Sequence, residues 1–366
     1  MAVGAVVLSI GMVGIFAAPA GMTLVGNLAW VIAFFGLATV GFTMVAIPYG
    51  AQAGEITQDP KERSAMTGWR MGFASVGILI GGAVIPGLAG EMGYAAAAFA
   101  VTPLMIGAVW VSLWATRNAP RIATATTVDL RRMYQLVLRN RPFMCLVALY
   151  GVMTFAIALI TAGLPLAAIY LIVDNGATAL SGAAAALSTL SLMFAAFVVG
   201  AILSQVIWVL LSSRFGKSNT LAAGLCLYAV LLVALYNSLP SVNVTAIAAL
   251  FVLAGIANGS YQQIPWAMYP DLMDVTRSES GQAIEGAFSA VWLFGQKIAN
   301  ALAPAVLGLI LAQSGWLAST GDIVTQNAQA LSALHVVISL VPAAILVTAA
   351  FCVKWIYKPM VCHAGR

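Results

Sequence analysis

Lys297 is a charged side chain inside an apolar run that extends from Ala287 to Leu311. An ammonium at the centre of a membrane helix costs about 3 kcal/mol on translocon scales, so it needs a partner or a water-filled cavity. Glu285 near the helix end is about 12 residues, or about 18 Å, away, which is too far for a snorkelling lysine. On a helix, Lys297 shares one partly polar stripe with Ser289, Leu293, Asn300 and Pro304, and Gln296 is adjacent. An ammonium donates three hydrogen bonds, so this stripe indicates a functional, cavity-facing site.

A second polar cluster lies in the preceding apolar segment. Asn258, Tyr261, Gln262 and Gln263 fall within six residues there. Polar side chains inside such segments usually face the interior of a helix bundle. Three residues of an earlier segment are weaker cavity candidates: Tyr150, Thr154 and Thr161.

The composition explains why these segments are treated as membrane helices. Hydrophobic residues make up 62% of the 366-residue chain and charged residues only 7%. A hydrocarbon core needs about 20 apolar residues per helix, so the chain can hold roughly ten spans. The predicted spans are 2–18, 26–48, 69–89, 93–115, 143–173, 186–211, 219–237, 242–266, 286–312 and 331–353. Strands are disfavoured because a lipid-facing barrel needs shorter segments of alternating polarity.

The basic residues predict the orientation of the chain. Apart from Lys297, every Lys and Arg lies in alternate breaks between spans, at the first turn of the span that follows such a break, or in the C-terminal tail, and the intervening breaks hold Glu91, Asp174 and Asp322. Basic residues are retained on the cytoplasmic side, so both termini are predicted to be cytoplasmic. The net charge of +5 is this topology signal, and a nucleic-acid role is disfavoured.

The longest cytoplasmic break divides the chain unequally. We predict an N-terminal helical half at 1–115 with four spans, a cytoplasmic central loop at 116–142 and a six-helix half at 143–366. A transporter of two six-helix halves has a basic loop at this place and a solute site near the bilayer midplane. Here the first half is two helices short.

Two motifs carry a resemblance to a known family. Ile47 to Arg63, followed by Trp69 to Ala74, resembles the fourth-helix and loop signature of the glycoside-pentoside-hexuronide:cation symporters. Pro265 to Asp274, with Glu285 and Gln296-Lys297 following, is similar to that family's tenth and eleventh helices. This melibiose-permease-like family belongs to the major facilitator superfamily. The match begins at the family's third helix.

The resemblance implies an all-α integral membrane protein with a major-facilitator-type helix bundle. It implies a secondary active transporter that carries a sugar or glycoside with sodium or a proton by alternating access. The expected setting is a monomer in the lipid bilayer of a bacterial inner membrane, with no cofactor. A uniporter, a carrier of another small solute and a truncated non-transporting membrane protein remain alternatives.

The resemblance also assigns roles to charged residues. It implies a cytoplasmic gate made of Asp271, Asp274, Glu285, Arg63, Lys61, Glu62 and Arg214. Asp271 and Asp274 are three residues apart and share a helix face, although ordinary solvated helix-end charges would give the same pattern. Arg70 is expected either to face the central cavity and help bind a sugar or to anchor the helix end at the membrane interface beside Trp69.

Aromatic faces and amide groups bind sugars, so Tyr49, Trp266 and Trp292 are candidate platforms, although an interfacial belt is the commoner reason for such residues. The predicted solute pathway consists of Tyr49, Trp292, Lys297, Arg70, Asn258, Tyr261, Gln262, Gln296 and Asn300. The family's first two helices carry its cation-binding acidic residues, and Ala46 falls where relatives often have Asn or Asp. Because the match begins at the family's third helix, we expect the sequence to lack the family's first two helices, through a misplaced start or a real truncation.

Other chemistries find no support in the sequence. The four cysteines and two histidines have no disulfide or zinc spacing, so no metal site is predicted. The chain has no Gly-rich phosphate loop, which disfavours an ATP-driven pump. No nucleophile, base and orienting group occur together, so an enzyme is not expected.

Overall fold

The computed structural model describes residues 1–57, 59–119, 130–280, 285–317 and 324–364, and most of them are helical. The helices are α1 Ala2–Phe16, α2 Leu24–Glu55, α3 Pro60–Leu79, α4 Ile85–Met92, α5 Tyr94–Thr116, α6 Leu130–Arg139, α7 Arg141–Tyr170, α8 Ser181–Leu187, α9 Thr189–Phe215, α10 Lys217–Ser238, α11 Val244–Ser280, α12 Glu285–Gln313, α13 Ala328–Ile338, α14 Leu340–Cys352 and α15 Lys358–Ala364. Two π-helical turns, Ile80–Val84 and Val353–Tyr357, continue α3 into α4 and α14 into α15. Within these ranges the extended pairing is one isolated bridge, Ile172 to Ser241, which confirms the all-α prediction.

Eight helical stretches in the described residues are long and apolar enough to cross a membrane. They are Leu24–Gln52, Tyr94–Thr116, Arg141–Tyr170, Thr189–Phe215, Lys217–Ser238, Val244–Asp274, Gly286–Gln313 and Ala328–Val361. Ala2–Phe16 is apolar but has only 15 residues, and Pro60–Leu79 is not among the eight. The number of about ten spans is therefore not confirmed.

Several predicted breaks between spans are helical. The helix α2 passes through Pro48 and ends at Glu55, and α11 continues through Pro265 and Pro270 to Ser280. The central loop predicted at 116–142 contains α6, whose Val137 is fully buried. The ends of α2 and α11 were predicted too early because apolarity marks the hydrocarbon core, whereas a helix continues into the polar region until its capping groups end it. A helix within 116–142 is compatible with a cytoplasmic loop, which stays a prediction.

Close helix packing brings the polar segment of α11 into the bundle. A Cβ atom on Gly200 of α9 would collide with the carbonyl of Val252, and one on Gly255 of α11 would collide with the carbonyl of Phe197. The two backbones therefore touch, which only glycine permits and which is a common packing mode in membrane helices. This contact fixes α11 against α9 and leaves another face of α11 for α2 and α3.

The early and late helices meet along α2 and α3. The helix α2 packs on α11 and α12, and α3 packs on α9 and α11. The candidate site lies where these helices and α7 converge.

Candidate functional site

The ammonium of Lys297 reaches across to α2. Its Nζ donates a hydrogen bond to Thr43 Oγ1 at 2.7 Å, and it lies 5.1 Å from the centre of the Phe42 ring. The Thr43 hydroxyl donates its own proton to the carbonyl of Thr39 at 2.8 Å, so its oxygen is free to accept from the lysine. Lys297 thus has a hydroxyl and an aromatic face as partners, and both come from α2.

Lys297 lines a cavity of about 460 Å³ between α1, α2 and α12, and Asn300 lies on the same wall. Asn300 also lines a second cavity, of about 290 Å³, together with Gln296, Thr154, Thr161 and Tyr261. The predicted stripe on α12 therefore faces open space over about two helical turns, from Gln296 to Pro304.

Arg70 lies between two aromatic rings. Its guanidinium carbon is 4.4 Å from the centre of the Tyr49 ring and 4.3 Å from that of Trp266. All three residues line a third cavity, of about 510 Å³. The neighbouring Trp69 is 74% exposed, so it is Trp69 and not Arg70 that faces outward. This geometry favours the cavity-facing interpretation over the interface anchor.

The third cavity is adjacent to the other two, because they share wall residues. Phe42 also borders the Lys297 cavity, whereas Tyr261 and Gln296 also border the second one. Gln262 faces the third cavity and accepts a 3.4 Å hydrogen bond from Ser75 Oγ of α3. None of the residues found lining these three cavities is an Asp or Glu, whereas two, Arg70 and Lys297, are cationic.

Tyr150 organises the aromatic part of the site, and sequence reasoning gave it low weight. Its hydroxyl accepts hydrogen bonds from Trp266 Nε1 at 3.0 Å and from Gln296 Nε2 at 3.1 Å. Its ring stacks on Tyr261 at 5.4 Å, and the Tyr261 hydroxyl shares a 2.8 Å hydrogen bond with Thr154. One buried phenol therefore orients an indole, an amide and a second phenol that all border the third cavity.

Trp292 does not fit the role of a sugar platform. It is fully buried, and its ring stacks on Tyr150 at 4.2 Å and on Tyr269 at 5.1 Å. With both faces covered by protein, Trp292 supports the cavity wall instead of offering a surface. Asn258 is also buried and lines none of the three cavities, and its Oδ1 finds no hydrogen-bond partner among the described residues.

The structure describes the side chains of only some of the charged residues predicted to form a gate. Asp271 forms a 2.6 Å ion pair with Lys217, which also donates to the carbonyl of Ala267 at 2.8 Å. Lys217 was not predicted as a gate residue, although it follows Gly216 directly at the start of α10, in the same break between spans as the predicted gate residue Arg214. Asp271 and Lys217 both belong to the second half of the chain, so this pair does not bridge the halves.

The other gate residues lie apart from this pair or outside the described side chains. The Arg214 guanidinium lies 5.5 Å from the centre of the Phe215 ring, and Glu62 accepts a 2.6 Å hydrogen bond from Thr57. Asp274 is partly exposed on α11. The side chains of Lys61, Arg63 and Glu285 are outside the described part of the structure, so the gate network stays a prediction.

A neutral contact joins the halves at this level. The Tyr269 hydroxyl of α11 donates to the carbonyl of Gly50 on α2 at 2.7 Å. No pattern in the sequence predicted this contact, because any backbone carbonyl can accept such a bond.

Comparison with known proteins places this architecture in a family. The model of the family described as MFS/sugar transport protein matches residues 1–358. The chain belongs to this family. It is a multi-pass membrane transport protein with the major facilitator fold, and not an enzyme.

Individual relatives have low sequence identity to this chain, but they match most of its length. The chain is 24% identical to the putative glycoside/cation symporter YagG of Escherichia coli over 91% of its own length and 70% of that protein's. It is 25% identical to the putative sulfoquinovose importer of Salmonella typhimurium, over 92% of this chain and 69% of that protein. It is 26% identical to the glucuronide carrier protein homolog of E. coli, over 86% of this chain and 67% of that protein.

The fold likeness extends to solved structures. The E. coli fucose:proton symporter FucP superposes with a TM-score of 0.58 at 14% identity, over 96% of this chain and 82% of that chain. At this identity the likeness supports the fold alone, and it agrees with the helical bundle seen here.

Proposed function

We propose that this protein is a sugar or glycoside transporter that couples uptake to the entry of sodium or a proton. The observation that carries the proposal is the group of adjacent cavities bordered by stacked aromatic rings, amides and two cationic side chains. Sugars are bound by such combinations of aromatic faces and hydrogen-bonding groups. The relatives named as glycoside/cation symporters support the coupling.

The contacts between early and late helices supply a route to alternating access. Three of them cross from residues before 116 to residues after 142: Lys297 to Thr43, Tyr269 to Gly50, and Arg70 between Tyr49 and Trp266. A rocking motion of the halves 1–115 and 143–366 must break some of these contacts while a bound solute replaces others. The site would thereby be exposed to one side of the membrane at a time.

The charge of the cavities favours an anionic sugar. Arg70 and Lys297 are held in protein surroundings of low polarity, and no carboxylate side chain was found lining the cavities beside them. A uronate or sulfonate group on the solute would supply the missing negative charge, and guanidinium groups recognise such planar or tetrahedral anions well. Relatives named as sulfoquinovose importers and as a glucuronide carrier homolog agree with this class.

The remaining expectations concern the setting of the transporter. The distribution of basic residues supports cytoplasmic termini, and the E. coli and Bacillus subtilis relatives support a bacterial inner membrane. We propose that the transporter acts there as a monomer.

Uptake by membrane vesicles tests the proposal. Vesicles containing the protein are supplied with labelled glucuronides, sulfonated sugars and neutral glycosides, with and without an imposed proton or sodium gradient. A tenfold ion gradient stores about 1.4 kcal/mol, so coupling one ion to one solute should raise accumulation about tenfold.

Two outcomes would separate the alternatives. Saturable uptake that no gradient changes would identify a uniporter. Absence of saturable uptake of every sugar, in vesicles that contain folded protein, would favour a membrane protein without sugar transport.

A further inference from the structure

A groove on the bundle that is separate from the cavities described above has the features of a lipid site. It lies between α10 and the helical run of α14 with its π-helical turn, and its volume is about 670 Å³. Its walls are Asn219, Ala222, Ala223 and Cys226 on one side and Val347, Ala350, Phe351, Lys354 and Trp355 on the other. None of these residues borders the sugar cavities.

Polarity is graded along the groove. Asn219, Lys354 and Trp355 lie at one end, near the start of α10 and the end of α14. Cys226 and Val347 lie at the other end, about two turns deeper in both helices. Small side chains, Ala222 and Ala350, form buried parts of the walls. An apolar trench that opens into a basic, aromatic rim matches the shape of a phospholipid, with its acyl chain below its headgroup.

The rim carries positive charge without a counter-ion on its own elements. Lys354 and Lys358 are exposed, one helical turn apart, and Lys358 Nζ donates to Asn219 Oδ1 at 3.0 Å. The described residues of α10, α14, the π-helical turn and α15 include no Asp or Glu. The nearby Asp271 already pairs with Lys217. Trp355, 62% exposed beside Lys354, is a typical residue of the membrane interface.

We propose that this groove binds an anionic phospholipid, with the phosphate at Lys354 and Lys358 and one acyl chain between α10 and α14. Basic pockets between membrane helices bind acidic headgroups in this way. The π-helical turn Val353–Tyr357 carries Lys354 and Trp355, and such turns often occur at functional positions in helices.

Lipid retention by the purified full-length protein tests the proposal. Protein in detergent is titrated with phosphatidylglycerol or with phosphatidylcholine of the same acyl chains, and bound lipid is counted by native mass spectrometry. We expect the wild type to retain phosphatidylglycerol about twenty-five-fold more strongly. Each lysine should contribute about fivefold, so the double variant Lys354→Gln/Lys358→Gln should lose most of the preference.

Two further variants separate the groove from charge alone. Ala223→Phe places a ring in the trench from an exposed position and should weaken retention of both lipids several-fold while the lysines remain. Arg117→Gln is the matched control, because Arg117 lies over exposed Trp114 at 5.5 Å but belongs to no part of this groove. It should leave retention unchanged.

The proposal is overturned if both lipids are retained equally, if Arg117→Gln loses as much as the lysine variants, or if Ala223→Phe has no effect. Displacement of the lipid by millimolar inorganic phosphate would also overturn it, because a simple anion site needs no acyl chain. If the double variant does not fold, each single variant, Lys354→Gln or Lys358→Gln, should lower the preference for phosphatidylglycerol about fivefold.

Discussion

Replacing Lys297 with glutamine should lower sugar uptake at least tenfold. The substitution removes a charge and the hydrogen bond to Thr43 that joins α12 to α2. Hydrogen bonds to charged groups contribute about 1.5–3 kcal/mol, which corresponds to roughly ten- to hundredfold in the population of the protein state that the bond stabilises. Initial rates of uptake by vesicles, normalised to the amount of folded protein, measure the effect.

The control for Lys297→Gln is a variant that loses a positive charge at the protein surface. Arg117→Gln removes an exposed positive charge at the end of α5 and should leave uptake within about twofold, as expected for exposed groups. Uptake by Lys297→Gln equal to that of the wild type would contradict a role for this ammonium in the solute pathway.

Replacing Arg70 should have a comparable effect, and lysine should not restore the function. The planar guanidinium contacts the faces of Tyr49 and Trp266 together and can still donate hydrogen bonds at its edge to a bound anion. Lysine keeps the charge but cannot be stacked in the same way. We expect Arg70→Gln to lose at least tenfold in uptake, because two partly desolvated cation–π contacts and an anion partner disappear together.

The adjacent Trp69 offers a matched control for Arg70. It is exposed and contacts Phe73, so Trp69→Phe should preserve uptake. Full activity of Arg70→Lys would contradict the proposed geometry, because it would show that charge alone suffices.

Helical spacing predicted the cavity wall on α12. Gln296, Lys297 and Asn300 were placed on or beside one stripe from the sequence, and each borders a cavity in the structure. The shared wall could be predicted because helix periodicity fixes the face that a residue shares with its neighbours. The surroundings of Trp292 could not be predicted in this way, because residue type and spacing do not reveal that its ring stacks on Tyr150 and on Tyr269.

Contacts between distant segments were the least predictable part of the site. The partner of Asp271 is Lys217, and the hydroxyl of Tyr269 reaches the carbonyl of Gly50. Each contact depends on how two helices are positioned, which a single sequence does not specify. Helix ends were misplaced for a related reason, since the apolar segment of α11 ends well before the helix does at Ser280.

We propose that the cavities bordered by Arg70 and Lys297 bind an anionic sugar. The most direct measurement is calorimetric titration of the purified protein with methyl glucuronide and with methyl glucoside, which differ only in a carboxylate and a hydroxymethyl group. A single charge-assisted hydrogen bond is worth about 1.5–3 kcal/mol, so the glucuronide should bind at least about tenfold more tightly. Arg70→Gln should abolish that preference. Equal affinity for the two sugars, or a preference for the glucuronide that survives in Arg70→Gln, would contradict recognition of the sugar's anionic group by Arg70.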